Sequence, residues 1–174
     1  MQSIPWGKEV QWREANASIR LHLRRYAAEL IPARRLARGQ RRLLEQVAPL
    51  METLCVETCP VCSDPCCSRA DVYYDFPDLL YLQFLRLPLP DAQPRLIRNR
   101  SCAHLAADGC ALPRPCRPWI CTWFVCPEQR RLLTTRLQGL QERLAQALDI
   151  IKHHRRQIEA AYIQAVFPGG ARRD

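Results

Sequence analysis

Apolar residues return at three- and four-residue steps at Trp12, Ala15, Ile19, Leu23, Tyr26 and Leu30. That is the period of one helix face, and it predicts a helix over 8–31. Pro32 suits a first helical turn. Leu36, Leu43, Val47, Leu50 and Leu54 continue the rhythm, with Arg34, Arg35, Arg38, Arg41 and Arg42 toward the other side, so a second helix follows. Pro49 falls inside that pattern, where a missing amide and a ring clash disfavour a straight helix by ~3 kcal/mol, and a kink or break is expected there.

Beyond Pro127 the seam Leu133, Leu137, Leu140, Leu144, Leu148, Ile151, Ile158, Tyr162 and Ala165 predicts one long helix over 128–166, ended by the Pro-Gly-Gly of 168–170. The seam is heptad-like and would serve a coiled-coil dimer. The preferred reading is that it packs on the two N-terminal helices, because a single domain needs this face for its core.

The middle breaks this regularity. Ten of the fourteen prolines lie between Pro60 and Pro127, and only Pro77 to Leu87 reads as a short helix. The expected fold class is mainly α: long N- and C-terminal helices packed together around an irregular, Cys/Pro-rich, metal-binding middle. At 174 residues the chain suits one domain. Its parts are a helical 1–54, a cysteine region 55–126 and a C-terminal helix over 127–168. No window approaches the ~18 uninterrupted apolar residues of a membrane span. The first twenty residues lack the pattern of a secretory signal, so a cytoplasmic location is expected.

All ten cysteines fall between Cys55 and Cys126. In a reducing compartment such a set reads as metal ligands or redox groups rather than disulfides. Cys59 and Cys62 have the separation that lets one turn offer two sulfurs to one ion. The adjacent Cys66 and Cys67 would point opposite ways in an extended chain, and so suit two metals, or one metal met from a bent backbone. The second sulfur-rich stretch, Cys102 to Cys126, can converge on the first. Thiolates bind zinc tetrahedrally and also cage iron–sulfur clusters, so zinc and iron both remain open as cofactor.

The order Cys59-x2-Cys62-x3-Cys66-Cys67, then Cys102, Cys110 and Arg117-Pro118-x2-Cys121, resembles the YkgJ-like cysteine-cluster family, the CxxCxxCC zinc- or iron-chelating domain. The resemblance covers about residues 55–126. It implies Cys59, Cys62, Cys66, Cys67, Cys102, Cys110 and Cys121 as metal ligands and gives Arg117 a place beside the cofactor. The chain departs from the family pattern in one extra residue between Cys110 and Arg117, in Pro113 where an aromatic is usual, and in Thr122 after the last cysteine of the motif. Cys55, Cys116 and Cys126 are additional thiols. Cys126 is favoured as an eighth ligand, while Cys55, at a helix end, reads better as a small packed side chain. The family's association with a flagellin lysine methylase makes protein modification conceivable. With six glycines and no glycine-rich loop after a strand, nothing here resembles a methyl-donor site.

Charge adds one consideration. The formal net charge is +9, and arginine supplies 24 of the 26 basic residues. Residues 1–54 and 127–174 are each net positive, whereas the cysteine zone is neutral with its thiols protonated. Eight thiolates around two divalent ions would turn it anionic, and the basic flanks would then pack around a negative centre. Nucleic acid is accordingly disfavoured as a partner, with the Arg34–Arg42 run its only support. Metal ions are the expected partners and a protein partner is left open. The function expected is metal binding, with an iron–sulfur redox protein as the alternative.

Among the remaining residues, His104 is read as a hydrogen-bond donor to the ligand shell or as solvated, and His153 and His154 as core or surface groups. Arg69, Arg100, Arg114 and Arg117 are placed to offset thiolate charge. Trp119, Trp123, Phe124 and Val125 are read as a dry shell around the site. Asp71 to Asp78 is read as turn and capping chemistry or as substrate contacts.

Overall fold

The structure, a computed structural model, describes residues 4–94, 102–106, 109–137 and 139–168, without the side chain of Arg69. Arg100 and the Gly169–Gly170 stop signal lie outside the described residues. The elements run α1 (Glu9–Arg25), α2 (Ile31–Thr58), the single turn α3 (Cys66–Arg69), α4 (Phe76–Phe84), β1 (Leu105–Ala106) and β2 (Gly109–Cys110). A 3₁₀ turn at Arg114–Cys116 leads to α5 (Trp119–Trp123), α6 (Pro127–Arg136) and α7 (Leu140–Val166). The two strands pair antiparallel, with Leu105 opposite Cys110. The chain is mainly helical, and its long N- and C-terminal helices pack together, chiefly α2 on α7.

The main core gathers Trp12, Ile19 and Leu23 of α1, Ala33, Ala37 and Leu44 of α2, five side chains of α4, and Ile151, Ile158 and Tyr162 of α7. Burying each large apolar side chain in this set contributes about 1.5–3 kcal/mol. The apolar seam of α7 is thus covered within the chain. The α2–α7 approach is close because its residues are small. Ala33 and Ala37 are fully buried, and a Cβ on Gly39 would stand 3.2 Å from the His154 ring. His154 is therefore a packing residue between the two helices.

A second cluster holds Val47, Met51 and Leu54 of α2, Leu133 of α6, and Leu144 and Ala147 of α7. It carries α2 onward to its last turn, where Cys55 and Cys59 sit.

Three boundaries differ from the pattern-based expectation. The first helix ends at Arg25, not 31, because Pro32 has no amide to continue the ladder. The chain turns over Tyr26–Leu30, with the Leu30 amide donating to the Tyr26 carbonyl at 3.1 Å. No break occurs at Pro49, and α2 runs through it. Pro49 and Glu45 are both exposed, so water can satisfy the carbonyl that the missing amide leaves free. The long C-terminal helix is two helices, interrupted at Gly139, whose φ of 86° lies in the left-handed region open to glycine. The break lets α6 turn so that Leu133 reaches the second cluster.

A buried polar network joins α7, α4 and α5. Asp75 and Asp78 form a capping box on α4, each carboxylate accepting the other's backbone N–H, at 2.9 and 3.2 Å. Arg155 of α7 donates to both, reaching Asp75 at 2.6 Å, and lies over the Trp119 ring with its guanidinium carbon 5.0 Å from the centroid. Asp78 also accepts the Trp119 backbone N–H at 3.1 Å. The acids of the 71–78 stretch are thus used by the fold, and the network fixes the start of α5 two residues before Cys121. Burial pushes the Asp78 carboxyl up, with Arg155 opposing.

Candidate metal centre

Three segments bring sulfur to one place. The last turn of α2 carries Cys55 and Cys59 four residues apart, hence on one face, and the following turn, closed by the Cys62 amide on the Cys59 carbonyl at 3.2 Å, presents Cys62. Pro65 then starts α3, so Cys66 and Cys67 lie on a bent backbone and not an extended one. The second stretch is tied to the first by the Cys102 amide, which donates to the Cys67 carbonyl at 2.9 Å. Cys110 follows on β2, Cys121 on α5 and Cys126 at the N-cap of α6.

Nine of the ten cysteines, all but Cys116, line a single cavity of about 1140 Å³. Cys116 is buried elsewhere, its carbonyl accepting the Tyr74 hydroxyl at 2.8 Å. None of the ten is in a disulfide. Among the described residues, however, no three Cys, His, Asp or Glu side chains stand together closely enough to hold one ion as placed.

Two thiol pairs organise the electrostatics. The Cys59 thiol donates to the Cys55 sulfur and holds Cys55 down, to about 5, against burial, with Arg114 adding to the effect; the same bond pushes Cys59 up. Likewise the Cys67 thiol holds Cys66 down to about 6 and is itself pushed up. Burial first, then the neighbouring Cys110 and Cys102, push Cys121 up to about 12. In each pair the shared hydrogen bond favours ionisation of one sulfur and disfavours it at the other.

Arginines fix the frame. Buried Arg114 reaches the Cys55 sulfur with Nη2 at 3.4 Å and Glu52 with Nε at 3.1 Å. Gln129 adds a second donor to the Cys55 sulfur at 3.7 Å. Arg117 has a different task. Its Nε donates to the Leu112 carbonyl at 2.8 Å, and Nη2 reaches the Cys110 carbonyl at 3.3 Å and Glu52 at 3.2 Å. It clamps the loop bearing Cys110 onto α2 and acts on sulfur only through its charge, which favours the Cys55 and Cys121 thiolates.

The sequence favours Cys126 over Cys55 as the additional donor. In the structure both line the cavity, but the Cys126 sulfur accepts the Gln129 amide at 3.5 Å as the cap of α6, whereas Cys55 is the sulfur met by two side-chain donors. The signal for Cys55 was its place four residues before Cys59 on a helix. Arg155 also escaped the sequence reading. It stands in the α7 seam between Ile151 and Ile158, and a charge in an apolar seam calls for an acidic partner.

His104 lines the cavity beside the sulfurs. The dry shell expected of the aromatics is not formed. Trp123 is 46% and Phe124 39% exposed, because the inner face of the short α5 is taken by Thr122, while Trp119 stacks on Arg155. Trp123 and Phe124 line the cavity without being sealed from solvent. Among the described residues, no helix is long and apolar enough to cross a membrane. Comparison with family models, with curated proteins and with solved structures finds no match to this chain.

Proposed function

We propose that this is a metal-binding protein that holds zinc or an iron–sulfur centre in the cysteine-lined cavity. The ligands are drawn from Cys59, Cys62, Cys66, Cys67, Cys102, Cys110 and Cys121, with Cys55 or Cys126 completing the set. The observation that carries the reading is the convergence of nine cysteines from separate chain segments on one cavity, with no disulfide among them. The donor set is soft sulfur, the chemistry that suits zinc and iron–sulfur centres. The resemblance of residues 55–126 to the YkgJ-like cluster proteins supports the same choice.

Because the thiols are spread around the cavity, coordination requires them to rotate inward. Arg114 and Arg117 hold the flanking backbone while they do so, and their charge offsets that of the thiolates. A closed all-sulfur zinc site would staple the middle of the chain and make the protein a scaffold, whereas an iron–sulfur centre would supply electron transfer. Either centre sets the protein in a reducing compartment such as the cytoplasm.

The test compares two variants for metal content. Cys67→Ser/Cys121→Ser is expected to lose metal, while Cys116→Ser, altered outside the cavity, keeps the wild-type content. Equal metal content in the wild type and the double variant would contradict the reading.

A further inference from the structure

A second cavity, of about 670 Å³, opens at the other half of α2, where Arg34, Arg38, Arg41 and Arg42 face Arg86 from the turn after α4. Glu45 is the one acid at its wall, and Phe84 and Leu85 supply its apolar part. Glu45 pairs with Arg41 at 2.7 Å. Arg34, Arg38, Arg42 and Arg86 make no side-chain hydrogen bond or ion pair with any described residue, and the Arg34 Nε is buried with no partner among them. Five guanidinium groups gathered around one carboxylate, itself taken by Arg41, repel one another, and a buried donor left unpaired is costly.

Arg86 sharpens the point. It occupies the left-handed C′ position of a complete helix stop. The Leu87 amide donates to the Leu82 carbonyl at 2.9 Å and the Arg86 amide to the Gln83 carbonyl at 3.3 Å, with φ of 54° at Arg86. Glycine is the residue that sits there without strain. The stop explains the backbone but not the choice of arginine.

We propose that this cleft is an anion site for a small soluble molecule bearing two or more linked phosphates. Guanidinium forks match phosphate oxygens in geometry and charge, and a clustered set favours a multiply charged group over a single one. The volume falls within the ~300–1,000 Å³ usual for small-molecule pockets. An extended nucleic acid would need basic side chains spread along a surface rather than drawn around one hollow. The site is distinct from the cysteine cavity: Arg38 and Cys55 are separated by about 25 Å of helix rise.

The test titrates the full chain, as purified, with inorganic pyrophosphate and triphosphate at low salt, with sulfate as reference. Saturable heats are expected for both phosphates, stronger than for sulfate and weakening as salt rises. Arg38→Gln/Arg42→Gln, both exposed, should keep the fold and lower the affinity by about tenfold or more. Arg86→Gly should melt no lower than wild type, since it relieves backbone strain, yet bind more weakly. A merely structural Arg86 would show the first effect without the second. The proposal is overturned if neither phosphate binds saturably, or if the variants bind as the wild type does. Binding only to oligonucleotides, growing with their length, or only to anionic vesicles without competition by pyrophosphate, would also overturn it.

Discussion

At one end of α2, Ala33 and Ala37 lie fully buried in the main core; at the other, Cys55 and Cys59 face an open cavity, and beyond them Cys62 and Cys66 are exposed. The first end belongs to a frame of four helices whose apolar faces cover one another. The second opens into a stretch with one-turn helices, two-residue strands and, among the described residues, no apolar cluster of its own. Residues 88–94 are held by the Trp12 Nε1 bond to the Pro90 carbonyl at 2.9 Å, by Leu89 against the main core, and by the buried Gln93 side chain, which donates to the Pro5 and Tyr74 carbonyls at 2.9 and 3.0 Å and accepts the Tyr74 amide at 2.8 Å. The frame is stabilised by burial, whereas the middle depends on what its polar and sulfur groups can bind. Metal coordination is the proposed agent.

The contrast can be tested in order of expected effect. Stripping the metal with a chelator removes coordination energy on the order of 10 kcal/mol. The cysteine-bearing segments 59–67 and 102–126 should then lose amide-exchange protection, while α4, which belongs to the frame, keeps it and the far-ultraviolet helical signal is largely kept. A simultaneous collapse of both regions would erase the distinction drawn here.

Arg155→Met comes next, because it leaves Asp75 and Asp78 without their cation. It should cost about 3–5 kcal/mol in denaturant unfolding. Burial already pushes Asp78 up, to about 7. Removing Arg155 should push that carboxyl higher still, so the variant's penalty relative to wild type should be smallest in acid, where both proteins hold Asp78 protonated, and grow as the pH rises through and above about 7.

Pro49→Ala restores an amide in the exposed middle of α2 and should raise stability by about 1–3 kcal/mol, read as a higher melting temperature. A loss instead would mean that the proline sets the direction in which α2 presents Cys55. The smallest effect is expected from Arg41→Ala. Its bond to Glu45 is solvent-exposed on both sides, and its removal should stay within about 0.5 kcal/mol.

Helical periodicity made the frame legible, because the apolar faces it marks are those the fold buries. Its ends were less so. The stop at Arg25 depends on Pro32, seven residues on, and the interruption at Gly139 depends on a backbone angle that a lone glycine within a seam only permits. In the middle, the spacing of thiols pointed to convergence, and the Cys102–Cys67 backbone bond brings the two stretches together. What spacing did not carry is the difference between Arg114, which touches sulfur, and Arg117, which holds carbonyls. That depends on how a 3₁₀ turn at 114–116 aims two side chains three residues apart. Spacing ranked Cys126 above Cys55 although each sits at a helix end, and only the packing of Arg114 and Gln129 separates a sulfur that meets side-chain donors from one that caps.

The central claim is tested most directly by purifying the wild-type chain without oxygen and measuring metal per polypeptide together with the visible spectrum. The account predicts either about two zinc ions in a colourless protein, as eight tetrahedral sulfur ligands would hold, or iron with sulfide and a visible absorbance that bleaches on reduction. A folded, fully reduced protein with neither metal, and with a middle no more protected after zinc or iron is supplied, would contradict it.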